Sequence, residues 1–207
     1  MTAQATVRDS YHHGDLRQAL ISRAAEVIDA EGIEALTLRG LARDLGVSHA
    51  APNRHFKSKA DLLAALAAEG YLALQAATLS AAESAGDDPW VRLNAMGRGF
   101  LHWAFENPAS FRAITHPDVE RYADDGLLAV MADFEATVGD AISASQAAGR
   151  HPEADPRVLE VFTNSVPFGA AMMLAQPVFS KSLGNKDQAA FIEELLELVC
   201  PIAERVS

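Results

Sequence analysis

Residues 37–59 decide the fold of this chain, and they read TLRGLARDLGVSHAAPNRHFKSK. Thr37 is a good N-cap residue for a short helix. The apolar residues that follow recur at helical spacing, at Leu38, Leu41, Ala42 and Leu45. Gly46 can end that helix in the left-handed conformation, and Ser48 can cap a second short helix over residues 49–55. Two short helices joined by a tight glycine turn are typical of a DNA-binding helix-turn-helix.

Charge is distributed unevenly along the chain. Residues 37–59 contain five Lys or Arg and one acid, Asp44, a net charge of +4, whereas the whole chain carries −11. From residue 61 onward the net charge is −12. Bulk acidity repels nucleic acid, so a basic segment on an acidic protein favours a phosphate contact confined to that segment.

The composition indicates a helix-rich globular protein. The 207 residues suffice for one large or two small domains, and 49% of them are apolar. No apolar run is expected to reach the ~20 residues that span a bilayer, and the N-terminus lacks a signal-peptide core. The single cysteine, Cys200, is expected to be a small buried apolar residue in a reducing compartment. We therefore expect a cytoplasmic protein with no membrane partner.

Helical periodicity predicts an all-α fold of about nine helices in total. The sequence has no alternating strand pattern. A first helix over residues 15–31 is expected to pack behind the helix-turn-helix, which gives an N-terminal domain of residues 1–58. A larger helical domain of residues 59–207 follows. Its predicted helices cover residues 59–84 (with Ser58 as N-cap), 90–106, 108–114, 126–148, 157–176 and 187–204.

The histidines and carboxylates do not form a catalytic or metal-binding pattern. His49 and His55 are six residues apart, which places them on roughly opposite sides of a helix. The sequence has no HExxH, no CxxC, no phosphate-binding glycine loop and no GxSxG elbow. Paired carboxylates such as Asp87 and Asp88 lie in polar breaks, where solvation explains them. We therefore expect no enzymatic activity, no metal and no cofactor.

Two stretches of the chain resemble a known family. They are YHHGDLRQAL at residues 11–20 and LTLRGLARDLGVSHAAPNRHFKSKADLL at residues 36–63. In these stretches the chain resembles the tetracycline-repressor (TetR/AcrR) family of bacterial transcriptional regulators. Beyond residue 85 the resemblance is only architectural. It implies a ligand-responsive repressor that binds an inverted-repeat operator in double-stranded DNA as a homodimer and is released by a small-molecule effector.

The resemblance also implies which residues meet DNA. Four of them are expected to hold backbone phosphates, namely Tyr11, Thr37, Arg39 and Lys59. Five are expected to face the bases or the adjacent backbone, namely Ser48, His49, Ala50, Asn53 and His55. Phosphate contacts set the register on the duplex, and base-edge contacts set the sequence.

Asn53 departs from the family pattern. A tyrosine is usual at this position, and it commonly touches DNA. Asn can instead pair bidentately with adenine in the major groove, which predicts an altered operator preference. The alternative is a helical ligand-sensing dimer whose DNA binding is altered or lost.

A small-molecule pocket in the larger domain is a further implication of the resemblance. Its candidate lining is aromatic or methionine, although the same helical spacing is typical of ordinary core residues. The candidates are Phe100, Trp103, Phe111, Met131, Phe134, Phe168, Met172 and Met173. Breaks and small residues, such as Pro167, Gly97 and Gly99, could leave room for a ligand. Polar residues that could orient it are His102, His116, Asn164 and Gln176.

The last two predicted helices have broad apolar faces. Four such helices, two from each subunit, could form the dimer interface. The alternative is that these faces fill the core of the monomer. The expected interface residues are Val158, Phe162, Gly169, Phe191, Leu195 and Val199.

Overall fold

The computed structural model describes residues 13–175 and 188–199, and every regular element in these two ranges is helical. The α-helices are α1 (His13–Glu31), α2 (Leu38–Asp44), α3 (Lys59–Ser84), α4 (Pro89–Glu106), α5 (Pro108–Ile114), α6 (Val119–Tyr122), α7 (Asp125–Ala147), α8 (Pro156–Leu174) and α9 (Gln188–Val199). Two 3₁₀ turns lie at Ile33–Ala35 and Pro52–Arg54. The predicted all-α class is confirmed, and the helices within the described ranges agree with the expected number.

The second helix of the helix-turn-helix is shorter than the sequence predicts. Only Pro52–Arg54 is helical, as a single 3₁₀ turn, in place of residues 49–55. Pro52 has no N–H to donate to the Ser48 carbonyl, which instead accepts from the N–H of Ala51 (2.9 Å). Because of the proline, the segment begins with an i→i+3 hydrogen bond, as in a 3₁₀ helix. The one-turn helix α6 was not predicted either, because its segment reads as polar.

One apolar core holds the N-terminal helices together. It contains Leu20 and Ile28 of α1, Leu41 of α2, and Phe56, which directly follows the recognition segment (residues 48–55). All four side chains are almost completely buried. The same cluster continues into α3, α5, α6 and α7. Packing is therefore continuous across the boundary expected at residues 58 and 59, and the division into 1–58 and 59–207 stays a prediction.

Helix α3 connects the N-terminal helices to the rest of the chain. Ser58 caps it, since Ser58 Oγ accepts from the N–H of Asp61 (3.1 Å). Within the described residues, α3 is the one helix long and apolar enough to cross a membrane, which the sequence analysis did not expect. Its buried side chains, Leu62, Leu66 and Leu74 among them, pack in contact with α4, α5 and α7. These contacts are those of a core helix.

Candidate DNA-recognition surface and effector cavity

The turn between α2 and the recognition segment is built as the sequence predicts. Thr37 Oγ1 accepts from the N–H of Gly40 (3.0 Å) at the start of α2. Gly46 has a φ of +66°, where glycine carries no Cβ strain. The N–H of Val47 donates to the Ala42 carbonyl (2.9 Å) and that of Gly46 to the Arg43 carbonyl (3.1 Å), which is the Schellman pattern of a helix end. Local hydrogen bonding thus fixes the direction of the chain into residues 48–55.

Residues 48–55 form a polar tip on an apolar base. Pro52 and Phe56 are buried, and the guanidinium of Arg17 lies 5.4 Å from the centre of the Phe56 ring. The expected base-facing residues point away from this base: Ser48, His49, Ala50 and Asn53 are exposed, and His55 is half-buried. These side chains are therefore accessible to a binding partner.

The four residues that are expected to hold phosphates differ in their exposure and in whether they already have a partner. Arg39 is exposed, and among the described residues no acid pairs with it. Thr37 is exposed, and its hydroxyl hydrogen remains available because the cap uses only its oxygen. Lys59 is half-buried, and its Nζ lies 3.9 Å from Glu34 Oε2. Tyr11 lies outside the described residues.

Asp44, the one acid in residues 37–59, is neutralised by neighbouring arginines. Arg23 Nη2 lies 3.0 Å from Asp44 Oδ2, and Arg43 Nη2 lies 3.3 Å from Asp44 Oδ1. The hydrogen bond from Arg23 lowers the pKa of Asp44 below its usual range, and the contact also connects α1 to α2. The negative charge of Asp44 is therefore compensated by Arg23 and Arg43, which reduces its repulsion of a DNA phosphate.

A cavity of about 770 Å³ lies between α3, α4, α7 and α8. Three of the predicted pocket residues line it, namely Phe100, Phe134 and Phe168. Pro167, Gly97 and Asn164 line it as well, as the sequence analysis suggested. Its apolar wall and its size suit a small organic molecule.

The other predicted pocket residues lie elsewhere. Trp103 and Phe111 are buried in the core, with Phe111 packed behind Phe100 and Phe168 at ring-centre distances of 6.1 and 6.2 Å. Met131 packs against the N-terminal core, Met172 against the core beside α8, and Met173 is half exposed. Aromatic and methionine residues at helical spacing serve core and cavity alike, so periodicity could not separate them.

The remaining polar and small candidates have other roles. His102 Nε2 lies 3.2 Å from a carboxylate oxygen of Glu193, and His116 Nδ1 accepts from the N–H of Asp118. Gly99 does not open the cavity, because it faces α3. Gln176 lies outside the described residues.

Sequence reasoning missed two polar residues of the cavity wall, Thr78 and Asn94. Both are buried and line the cavity. A signal existed for Asn94, since it interrupts the apolar positions of α4 one residue after Leu93. No comparable signal marked Thr78.

Helix α8 presents an apolar face to solvent. Val158 is 65% exposed and Phe162 is 60% exposed. Gly169 and, on α9, Leu195 are half-buried. The side chains of Phe191 and Val199 lie outside the described residues. Neighbouring exposed apolar side chains such as these are typical of an interaction surface.

Two family models match the chain. Residues 20–66 match "Bacterial regulatory proteins, tetR family", and residues 93–199 match "Tetracyclin repressor-like, C-terminal domain". The chain belongs to the TetR family of transcriptional regulators. The recognition made from residues 11–63 is therefore confirmed, and no curated protein matches the sequence.

Solved structures share the fold of this chain over most of its length. A protein of unknown function from a Rhodococcus species is 26% identical, with 93% of this chain and 100% of that one covered at a TM-score of 0.71. The TetR family regulator PfmR from Thermus thermophilus is 20% identical, with 87% and 96% covered at 0.67. A tetR-family regulatory protein, also from Rhodococcus, is 22% identical, with 90% and 95% covered at 0.66.

Membership in the TetR family places the chain among regulators that bind DNA through a helix-turn-helix. The family fold suits operator binding and dimerisation, and its members are as a class non-enzymatic. In the described part of the chain, no three His, Cys, Asp or Glu side chains come together as metal ligands would.

Proposed function

We propose that this TetR-family chain is a repressor that binds an inverted-repeat operator as a homodimer and leaves it when a small-molecule effector binds. The observation that carries the proposal is the polar tip of residues 48–55, held out from the core by Pro52 and Phe56. The protein is cytoplasmic in this proposal, without enzymatic activity or cofactor.

Phosphate and base contacts are divided between residues that flank the tip and residues of the tip itself. Tyr11, Thr37, Arg39 and Lys59 hold phosphates on either side of the groove. Lys59 is available for this because Glu34 is 91% exposed and 3.9 Å away, and such a surface pair contributes little in water. The base-facing residues Ser48, His49, Ala50, Asn53 and His55 then read the major groove.

The exposed face of α8 supports the homodimer. Val158 and Phe162 would be covered by α8 of a second subunit, with Gly169, Phe191, Leu195 and Val199 completing the interface. A two-fold axis through this interface places two recognition tips on one side of the dimer. Their separation is about one helical turn of DNA, ~34–36 Å, or somewhat more.

Effector binding is coupled to DNA binding through α3 and α5. The cavity lies against α3, and α3 begins directly after the recognition segment. Arg112 on α5 donates to the Ile28 carbonyl near the end of α1 (3.2 Å) and lies 3.5 Å from Asp29. An effector that prefers one arrangement of these helices shifts the equilibrium by its differential affinity for the two arrangements.

The alternative is a ligand-sensing dimer with altered or lost DNA binding. Two observations favour it: Asn53 replaces the usual tyrosine, and the recognition segment is one 3₁₀ turn. Against it stands the exposed, unpaired state of Arg39 within the described residues.

Selection of random duplex DNA by the full chain in dilute buffer tests the proposal. We expect an inverted repeat, bound with an affinity that falls steeply with salt. Arg39→Gln should lower the slope of log affinity against log salt by about 2 for a dimer, one phosphate per subunit. Arg157→Gln, which removes an exposed arginine from α8, should leave the slope unchanged.

Two results would decide against the repressor. If no duplex sequence is enriched even in dilute buffer, the ligand-sensing dimer without DNA binding is the correct function. If Arg39→Gln and Arg157→Gln lower the slope equally, the overall charge alone attracts the DNA, and Arg39 does not hold a phosphate.

A further inference from the structure

Two buried polar side chains lie in the wall of the cavity between α3, α4, α7 and α8. Thr78 is 2% exposed and Asn94 is 7% exposed. Buried polar groups in folded proteins nearly always have hydrogen-bond partners. A free hydrogen-bonding position on such a group therefore indicates what a ligand has to supply.

The amide of Asn94 leaves an acceptor unused. Its Nδ2 donates to the Trp90 carbonyl (3.1 Å). This contact fixes the orientation of the amide, because a carbonyl oxygen accepts and cannot donate. Among the described residues no group donates to Asn94 Oδ1, and that oxygen is not sealed from probes the size of water.

Thr78 offers the same kind of group. Its hydroxyl donates to the Gln75 carbonyl (2.9 Å), so the lone pairs of its oxygen are what remains for a ligand. The buried polar groups of the wall thus present acceptor positions on α3 and α4.

Apart from the half-buried Thr163, the rest of the buried and half-buried wall is apolar, and none of it is charged. It includes Trp90, Leu93, Met96, Phe100 and Phe134, and the other polar lining residues, Asn164 and Ser165, are exposed. The charged lining residues Glu135, Arg157 and Glu160, and also His151, are all exposed and therefore lie at the mouth. An ionised group inside the cavity would lose its hydration without gaining an opposite charge.

We infer that the cavity binds a neutral, largely aromatic molecule that donates a hydrogen bond to Asn94 Oδ1. A donor in this position satisfies the buried acceptor, and Thr78 Oγ1 is a second acceptor for a ligand with two donors. A ligand of the same shape without a donor leaves Asn94 Oδ1 unpaired and dry. The inference rests on the proposed function, in which this cavity receives the effector.

Equilibrium dialysis of the full chain with 2-naphthol and 2-methoxynaphthalene tests the inference. The two probes share the aromatic body, and only the first has a donor. We expect the wild-type protein to prefer 2-naphthol by about three- to tenfold, the range of one net hydrogen bond. Asn94→Leu should abolish the preference, mainly by weakening 2-naphthol.

Two further variants serve as controls. Asn164→Leu removes an amide that also lines the cavity but is exposed and hydrated, so the preference for 2-naphthol should remain. Asn94→Thr keeps a neutral acceptor in place, because its hydroxyl can donate to the Trp90 carbonyl and leave its lone pairs for the ligand. It should retain the preference, which separates loss of the acceptor from a general disturbance of α4.

Three results would overturn the inference. Equal binding of the two probes to the wild type would show that a ligand donor contributes nothing. A preference for 2-naphthol that survives Asn94→Leu would show that Asn94 is not the acceptor. If neither probe binds, the cavity does not accept neutral aromatic molecules of this kind. Gel shifts with the selected operator need no ligand, so they report a failure of the proposed DNA binding separately.

Discussion

Gly99 allows α4 to approach α3 closely. A Cβ built at Gly99 would lie 2.8 Å from the Ala77 carbonyl oxygen and 2.9 Å from Ala81 Cβ. Real Cβ atoms do not approach backbone oxygens to that distance, so a side chain here would force the two helices apart. Because Thr78 on α3 and Asn94 on α4 both line the cavity, this close approach also sets the shape of its wall.

Gly99→Ala should destabilise the protein by about 1–3 kcal/mol, the usual range for overpacking. Gly139, in the middle of α7, has no neighbouring atom within 4 Å of a built Cβ. Gly139→Ala should therefore stabilise the protein by ~0.5–1 kcal/mol through helix propensity. Urea unfolding at one fixed protein concentration measures both changes. Equal effects of the two substitutions would contradict the close approach.

We expect the operator preference to depend on Asn53. Its side chain is exposed at the tip, where an amide can pair with the N6 and N7 of adenine. Asn53→Ala should abolish the preference for adenine at one position of each half-site, a discrimination of about 1–3 kcal/mol. Asn53→Tyr should change the selected base.

The readout for Asn53 is repeated selection from random duplex DNA. Asn164→Ala, the same residue type on α8, is the matched control and should select the wild-type operator. An operator that stays the same in both Asn53 variants would show that Asn53 does not read a base.

At the scale of elements, an ion pair at the surface connects α1 to α2 beside the apolar core that the two helices share. Arg23 donates to Asp44 through Nε (3.2 Å) and Nη2 (3.0 Å), and through Nη1 to Glu26 (2.6 Å). The hydrogen bonds to Glu26 and Asp44 raise the pKa of Arg23. The fork of one guanidinium therefore joins the first helix to the end of the second.

Asp44→Asn should lower the free energy of unfolding at pH 7. The pKa of Asp44 is lower in the folded state, so its contribution is present above the unfolded Asp pKa of ~3.9. It disappears as the pH falls through the lowered pKa, because the wild-type carboxyl is then protonated too. Thermal unfolding over this pH range should show the two proteins converging in acid.

Asp87→Asn is the control for this experiment. Asp87 is exposed in the turn before α4, and within the described residues it has no ion-pair partner. We expect the thermal unfolding of Asp87→Asn to match that of the wild type throughout this pH range. A difference between Asp44→Asn and the wild type that stays constant into acid would contradict the proposed role of the carboxylate.

At the scale of the whole molecule, charge and apolar surface are separated. The basic segment lies at residues 37–59, and the net charge from residue 61 onward is −12. The exposed apolar face lies far along the chain, on α8. In the proposed dimer, this separation keeps the negative charge of the subunit-pairing part of the chain out of the basic segment that would hold DNA phosphates.

Val158→Glu should dissociate the proposed dimer. Val158 is 65% exposed on α8 and does not line the 770 Å³ cavity, so a charge there would enter the interface without altering the pocket. Leu72→Glu, at a residue 53% exposed on α3, should leave the dimer intact. Light scattering after size-exclusion chromatography gives the mass of each. A wild-type protein that elutes as a monomer would exclude the dimer.

Most of the helices, their caps and the turn before the tip could be predicted from the sequence alone, but the one-turn helix α6 and the 3₁₀ form of Pro52–Arg54 could not. Thr37, Gly46 and Ser58 act through hydrogen bonds or dihedral preferences within a few residues. Such local interactions can be inferred from the amino-acid sequence. The tertiary structure alone decided that Phe100 lines the cavity while Phe111 packs behind it. It also decided that Gly99 meets α3 and that no group in the described part of the chain donates to Asn94 Oδ1. These roles depend on which helix packs opposite, and helical periodicity marks a face as apolar without saying what covers it.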